Sequence, residues 1–448
     1  MPSPPSCPGD GKPRNGPGRY KWWVVFMLWF VCFFNYADRQ AIFSIFPTLQ
    51  REFGFSKFHL GLIGSAFMWV YAVGSPLAGL IGDRLRRKNL ILGGCLFWSF
   101  ITMTTGWCGK LWQFIMVRAM GGFGETFYFP ASISLTSDYH GPATRSRALS
   151  FHQSGVYIGT IAGSWLEAWF AEHYGWRTGF YFFGVAGMLL AAVLYCFLRE
   201  PRRGQSEPVA AVAVEKPFSE PIAAVAVETT LSVRETLAAV FRRPTAVLLM
   251  TVFFGVNLVA MVFLAWTPTF LVEKFGFRLA NAGLSGAVFI NLASALSVPL
   301  AGMLADRLAR RFCGGRILVQ AIGLLVGAGF VVLVGLAATP IVLIMAMVAF
   351  GACKGFYDSG TFASLYDAIE PRARATAAGV MNTVGWAGGA MGPIGIGWAA
   401  THGRHASEIT NMSEAIAWGG SVYLAGAALL LITAIFFAPR DLARCEGT

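Results

Sequence analysis

Four charged residues stand inside otherwise apolar stretches: Asp38 and Arg39 in Asn35-Tyr36-Ala37-Asp38-Arg39, Arg118 and Glu125 in Arg118-Ala-Met-Gly-Gly122-Phe-Gly-Glu125. Mid-helix in a membrane, each would cost at least about 2.5–3.5 kcal/mol, which makes each a candidate functional residue. Arg118 and Glu125 are seven positions apart, two helical turns, and so share a face. Two acids and two arginines can act in two ways. They can form a static, neutral ion-pair cluster that pins two helices together. They can also relay protons: low dielectric favours a neutral carboxyl, a nearby arginine favours the carboxylate, and a pairing that changes with conformation couples protonation to movement. In that chemistry Asp38 or Glu125 carries the proton, and Arg118 or Arg39 holds an anionic group bidentately.

Further along the chain stand Lys354 and Asp358, four residues apart and able to pair within one helix. They are either a neutral internal pair or a second cationic contact, with Lys354 facing Arg118 across a pathway. Asn257, Asn291 and Asn382 read as glue between helices before they read as ligands, although Asn382 opens a run rich in glycine (Gly385, Gly388, Gly389, Gly392) that suits a moving helix. Trp266 and Pro268 fit a pathway lining or a kinked, lipid-facing helix. His152 is expected to be structural, and Glu167 to lie near a helix end in contact with water.

The elements that must hold these residues are membrane helices. The chain of 448 residues is 55% hydrophobic and only 13% charged, against about 25% charged in soluble proteins. Apolar stretches of roughly 20 residues recur, each long enough to cross a ~30 Å hydrocarbon core. Backbone polar groups cannot stay unpaired in lipid, so these stretches must be helices. Twelve spans are expected, at 22–47, 58–82, 89–108, 111–136, 147–171, 177–198, 244–272, 281–305, 315–337, 341–365, 374–400 and 413–438. Asp38 then falls 16 residues into the first span, about 24 Å along an untilted helix. The first apolar run is too long for the core of a cleaved leader and reads as an uncleaved anchor.

The formal net charge of +12 is explained by its distribution. With the N-terminal tail in the cytoplasm, 25 Lys and Arg fall on the cytoplasmic side, seven on the opposite side and three within spans. That asymmetry places both termini in the cytoplasm and removes nucleic acid as a partner. The eight Cys are scattered without C-x-x-C spacing, so neither a metal site nor a disulfide framework is expected. No phosphate-binding loop argues for an ATP-driven pump, no nucleophile–base constellation argues for an enzyme, and no cofactor is expected.

The spans divide into an N-terminal bundle (21–198) and a C-terminal bundle (244–438), joined by a cytoplasmic linker (199–243) and flanked by tails (1–20 and 439–448). The linker holds a nine-residue tandem repeat at 207–215 and 220–228, and a surface helix is expected at 231–241. The halves carry a repeated loop: Gly79-Leu-Ile-Gly-Asp83-Arg84-Leu-Arg-Arg87-Lys88 and Gly302-Met-Leu-Ala-Asp306-Arg307-Leu-Ala-Arg310-Arg311. Internal duplication of this kind is common in transporters, whose substrate sites lie between the repeats near mid-membrane.

This loop resembles the G-x-L-x-D-R-x-x-R-[KR] signature of the major facilitator superfamily, with Arg86 in place of a usual Gly in the first copy. The resemblance covers about residues 20–438. It implies an all-α membrane protein of twelve transmembrane helices in two pseudo-symmetric six-helix bundles, working by alternating access. It also gives Asp83, Arg84, Asp306 and Arg307 the part of a conformational latch. Asn35-Tyr36-Ala37-Asp38-Arg39, the Arg118–Glu125 segment and Leu264-Ala-Trp266-Thr-Pro268-Thr-Phe-Leu271 look like the anion:cation symporter family, which moves small organic anions, often sugar acids, with protons. That pattern implies proton coupling by Asp38 and Glu125, tuned by Arg39 and Arg118. Substrate contacts would fall on Tyr36, Arg118, Gln153, Ser154 and Asn382, joined by Lys354 from the charge argument above. The N-terminal half is also similar to the Spinster family of lysolipid and sphingolipid transporters, through Asn35–Arg39, Gly124-Glu125, Arg145-Ser-Arg147 and Leu198-Arg-Glu-Pro201. The expectation is a monomeric, multi-pass symporter of a small organic anion and protons in the cell membrane. A lysolipid or other amphipath transporter is the alternative.

Overall fold

The computed structural model describes residues 19–82, 85–201, 240–370 and 374–441, with the backbone alone described at 76–82, 142, 143, 146 and 375. Each expected span is present. In the first half these are Tyr20–Ser44 continued by Phe46–Phe53, Lys57–Gly82, Arg87–Thr105, Leu111–Thr126 continued by Tyr128–Tyr139, Pro142–His173 and Trp176–Phe197. In the second they are Pro244–Phe275, Leu279–Ala309, Gly315–Leu336, Pro340–Asp358 continued by Thr361–Ala368, Arg374–His402 and Glu408–Ile432, which ends in a π turn at Thr433–Phe437. Among the described residues, seven helices are long and apolar enough by themselves to cross a membrane. The first, third, fourth, fifth and eleventh spans fall outside that group, and they carry Asp38, Arg39, Arg118, Glu125, Glu167 and Asn382.

Three spans expected as single helices are broken. Span four is interrupted at Phe127, because the ring of Pro130 displaces the carbonyl of Thr126 four residues back and offers no N–H to it. Span ten is interrupted at Ser359–Gly360, the same place in the second half. Span one is interrupted at Ile45, with Pro47 in the first turn of the helix that follows.

The halves repeat other devices as well. Span one ends at Gly54 (φ 66°) and span seven at Gly276 (φ 67°), in Phe53-Gly54-Phe55 and Phe275-Gly276-Phe277. Both glycines take the left-handed conformation that closes a helix. Spans one and five meet along Gly155, Gly159 and Gly163, which lie against the backbone of Trp29, Phe33 and Ala37; spans seven and eleven meet where Gly388 and Gly392 lie against Phe254 and Leu258. Small residues at such crossings let backbones approach closely, which stands in for the hydrophobic driving force that lipid does not supply.

Hydrogen bonds and ion pairs between the halves, among the described residues, gather toward one end. Lys57, its side chain only 3% exposed, bridges Glu273 (2.8 Å) and Glu408 (2.9 Å). The Glu172 carboxylate accepts from the Ala280 amide at 3.0 Å, and Ser164 Oγ donates to the Gly283 carbonyl at 2.8 Å. Gln40 donates to the Leu264 carbonyl at 2.8 Å. That carbonyl is free because Pro268, four residues on, has no N–H to give it. At the other end the pairs stay within each half. Arg87 holds Asp138 and Glu200, while Arg316 holds Asp306 (2.9 Å) and Asp367 (2.5 Å).

The expected latch residues Asp83 and Arg84 lie outside the described residues. So do both tails to 18 and from 442, the tandem repeat, and all but the last two residues of the expected linker helix. Asp306 is paired with Arg316 and exposed; Arg307 is exposed as well.

Candidate functional site

Span one brings Tyr36, Asp38 and Arg39 to the broken span four, which presents Arg118 and Glu125 from the helix ahead of the break. Arg39 donates to one Glu125 oxygen through Nε (3.1 Å) and Nη2 (2.5 Å), and through Nη2 to Asn35 Oδ1 (3.4 Å). Both side chains are buried, 7% and 2% exposed, so the pair is a charge-assisted contact without water to screen it. Arg118 Nη2 donates to the backbone carbonyl of Arg39 at 3.3 Å. Asp38 accepts from Thr102 Oγ1 of span three at 2.8 Å and lies within electrostatic reach of Glu125, Arg118 and Arg39. The four charged groups expected from the sequence thus form one cluster.

Aromatic rings enclose it. The Arg39 guanidinium lies 4.5 Å from the Tyr36 ring, 4.6 Å from Phe67, 5.2 Å from Tyr71 and 5.1 Å from Trp386. Trp386 belongs to span eleven of the opposite half and packs on Tyr71 at 4.8 Å. Each such cation–ring contact is worth about 0.5–2 kcal/mol, the larger figure where water is excluded. Phe67, Tyr71, Thr102 and Trp386 were not singled out from the sequence. The only signal was spacing: Phe67 and Tyr71 are one turn apart, and Trp386 is one turn from Asn382.

Three buried N–H groups around the cluster have no partner among the described residues: Asn35 Nδ2, Arg39 Nη1 and Arg118 Nε. A buried donor left unpaired costs about 1–3 kcal/mol, more when it belongs to a cation. A ligand bringing an acceptor would recover that.

Other expected residues stand apart from the cluster. Lys354 and Asp358 form the intrahelical pair, with side chains 25% and 30% exposed. Tyr157 of span five lies within electrostatic reach of both. Gln153 and Asn382 are half-buried and their side chains make no hydrogen bond among the described residues. Ser154 accepts from Trp29 Nε1 at 2.9 Å and donates to the Phe151 carbonyl at 2.7 Å, so its hydroxyl is already engaged.

Several expectations need correction. Asn257 and Asn291 donate to carbonyls four residues back in their own helices, each at 2.8 Å, and among the described residues neither side chain makes a hydrogen bond to another helix. Trp266 is fully buried and donates to the Pro393 carbonyl at 3.1 Å, facing neither lipid nor water. Glu167 is fully buried rather than solvated, because Gly179 in the first turn of span six leaves a recess for its carboxyl. His152 is structural as expected: its Nε2 lies 3.0 Å from Tyr128 Oη and 2.9 Å from Ser132 Oγ, tying spans four and five.

Comparison with known proteins agrees with this architecture. A family model described as Major Facilitator Superfamily matches residues 28–393 and 291–444. "Probable galactarate/D-glucarate transporter" of Bacillus subtilis is 26% identical over 84% of this chain and 85% of its own length. "Probable anion transporter 4, chloroplastic" of rice (Oryza sativa subsp. japonica) is 29% identical over 86% of this chain, which spans 64% of that relative. Among solved structures, a bacterial homologue of the human lysosomal transporter Spinster, inward-facing and unoccupied, superposes with a TM-score of 0.74 at 21% identity, over 96% of this chain and 99% of that one. Its identity is low enough that it speaks for the fold alone. Twelve membrane helices in two bundles, a duplicated Asp-Arg loop and a family match across nearly the whole chain lead to one conclusion: this chain belongs to the Major Facilitator Superfamily.

Proposed function

We propose that the chain is a proton-coupled symporter of a small organic anion, a sugar acid above all, in the cell membrane. The observation that carries this reading is the set of three unpaired donors, Asn35 Nδ2, Arg39 Nη1 and Arg118 Nε, beside two carboxyl groups. A substrate carboxylate would accept from those donors. Asp38, Glu125, Arg39 and Arg118 sum to zero when all are ionised. Adding an anion to a buried neutral cluster leaves one uncompensated charge, which is strongly unfavourable in low dielectric. One proton on Asp38 or Glu125 restores balance, so anion and proton bind best together.

Relatives that carry sugar acids and other anions favour this substrate class. A dicarboxylate fits the two-sided layout: one end goes to the arginine cluster beside Tyr36, the other to Lys354, with Gln153, Ser154 and Asn382 between. Because Asp358 already neutralises Lys354, the second carboxylate calls for a second proton. Trp386 on Arg39 would carry the change of charge to the second half. With both termini in the cytoplasm, the Lys57 clasp would seal the outer end and this conformation would be the inward-facing one. The loops of Asp83-Arg84 and Asp306-Arg307 would latch the opposite state, and the unit of transport is the monomer.

The test is uptake of galactarate or D-glucarate into proteoliposomes under an imposed pH gradient. Accumulation should follow the gradient, and Glu125→Gln should abolish it while sparing counterflow. Accumulation indifferent to the gradient overturns the coupling. Tight binding of lysolipids with none of sugar acids overturns the substrate class in favour of an amphipath.

A further inference from the structure

A third buried acid of the first half has no place in the cluster just described. Glu167 on span five is 0% exposed, and neither of its oxygens has a hydrogen-bond partner among the described residues. Its carboxyl lies against Gly179 in the first turn of span six, where a Cβ would stand 1.9 Å from Oε2. The recess exists only because that position has no side chain.

The charged groups of the neighbouring helices are engaged elsewhere. Arg177 of span six pairs with Glu52 at 2.8 Å and stacks on Trp176 at 4.4 Å. On span one, Asp38 accepts from Thr102 and Arg39 pairs with Glu125. Asp138, at the far end of span four, is held by Arg87. Span eight has no charged residue between 279 and 305; Arg278, just before it, is exposed and lines the cavity at the closed end rather than the recess. Glu172, further along span five, accepts from the Ala280 amide. A carboxylate with neither counter-charge nor donor costs several kcal/mol in such a place. Carrying a proton removes most of that cost.

The position of Glu167 along its helix says when the proton could exchange. Ser164, one turn before, donates to Gly283 of the other half, and Glu172, a little more than one turn after, accepts from Ala280 of the other half. Ala171 and Glu172 line a cavity of about 620 Å³ at the closed end. In the other direction, Gly163 rests on the backbone of Ala37, next to Asp38. Glu167 thus stands between a water-accessible vestibule and the charge cluster, on a helix stapled to the other half on both sides of it. Parting the halves at this end breaks both staples.

We propose that Glu167 is a second proton-binding site, loaded from the outer side while the Lys57 end is open, occluded with its proton when that end closes, and emptied inward by way of the charge cluster beside Asp38 before that end reopens. The inference rests on the proton-coupled reading. Its test separates the two. Glu167→Gln preserves shape and should leave folding and counterflow at the wild-type level. The proton-to-substrate ratio, read from the substrate gradient that balances an imposed pH gradient, should fall by one. Infrared difference spectra of the wild type should show a protonated carboxyl C=O band that the variant lacks. An unchanged ratio together with an unchanged band overturns the proposal. If Glu125→Gln still accumulates substrate along the pH gradient, the coupled reading fails at Glu125, and the infrared band alone then decides whether Glu167 holds a proton.

Discussion

The two halves share a scaffold and differ in what they bury. Both close their first span with a left-handed glycine, at Gly54 and Gly276, and both break their fourth, at Phe127 and at Ser359–Gly360. The first half buries Asp38, Arg39, Arg118 and Glu125 in one cluster beneath aromatic rings, with Glu167 apart. The second has Lys354 and Asp358, a pair on one helix with a quarter or more of each side chain exposed. A duplicated fold supplies the motion twice. Charge is expensive in a membrane, and here most of it stands in one half. The difference predicts that substitutions in the first half cost stability and coupling together, whereas those in the second cost affinity.

The largest effect is expected at Arg39. Arg39→Ala strands a buried Glu125 carboxylate and leaves Tyr36, Phe67, Tyr71 and Trp386 around an empty space. Breaking one partner out of a buried pair costs about 3–5 kcal/mol. Thermal unfolding in detergent should show a drop of many degrees, and transport should be lost. The double variant Arg39→Met with Glu125→Gln should regain much of the stability and none of the coupling. A double variant no more stable than Arg39→Ala would mean that the pair does not act as a unit.

Lys57 comes next, because it joins the halves rather than stabilising either. Lys57→Gln leaves Glu273 and Glu408, both of the second half, without the cation that ties them to the first. The open state should gain about tenfold in population or more, since roughly 1.4 kcal/mol suffices for that. Spin labels at Trp112 and Ile341, exposed residues of opposite halves (60% and 71%), would report a longer distance. Unchanged distances would show that Glu172, Ser164 and Gln40 hold this end without the clasp.

The sequence shows the spans well and the contacts between them poorly, and these residues show why. A run of twenty apolar residues announces a helix by its length alone, so all twelve were in view. Whether such a helix faces lipid or protein is not written in its hydropathy, because lipid tails are as apolar as leucine. Lys57 read as one of seven charges on one side of the membrane; its partner Glu408 lies 351 residues away. Glu167 read as an end-of-helix acid because nothing local reveals the recess at Gly179. Pro130 was the legible sign of the break in span four, and Pro268 of the free carbonyl that Gln40 fills. Asp38, Arg39, Arg118 and Glu125 were legible for the opposite reason: a charge in an apolar run is conspicuous wherever its partner stands. Their aromatic enclosure was not, because phenylalanine and tryptophan are ordinary in a membrane helix.

The smallest effect, and the sharpest for the comparison, is expected at Lys354. Its pair with Asp358 is within one helix and partly exposed, so Lys354→Ala should change thermal stability by no more than about 1 kcal/mol. If Lys354 receives one end of a dicarboxylate, the variant loses a charge-assisted hydrogen bond worth about 1.5–3 kcal/mol. KM for galactarate or D-glucarate should then rise about ten- to a hundredfold. KM for a sugar acid with a single carboxylate should hardly move, because its one charged group stays with Arg39 and Arg118. Removing Asp358 as well, by Asp358→Asn, should restore only the part of the loss that comes from repulsion between the stranded Asp358 carboxylate and the substrate. Equal losses for both substrates would mean that Lys354 and Asp358 shape span ten near its break at Ser359–Gly360 and meet no anion. Then the second half would supply movement without charge, and recognition of the anion would belong to the first half alone.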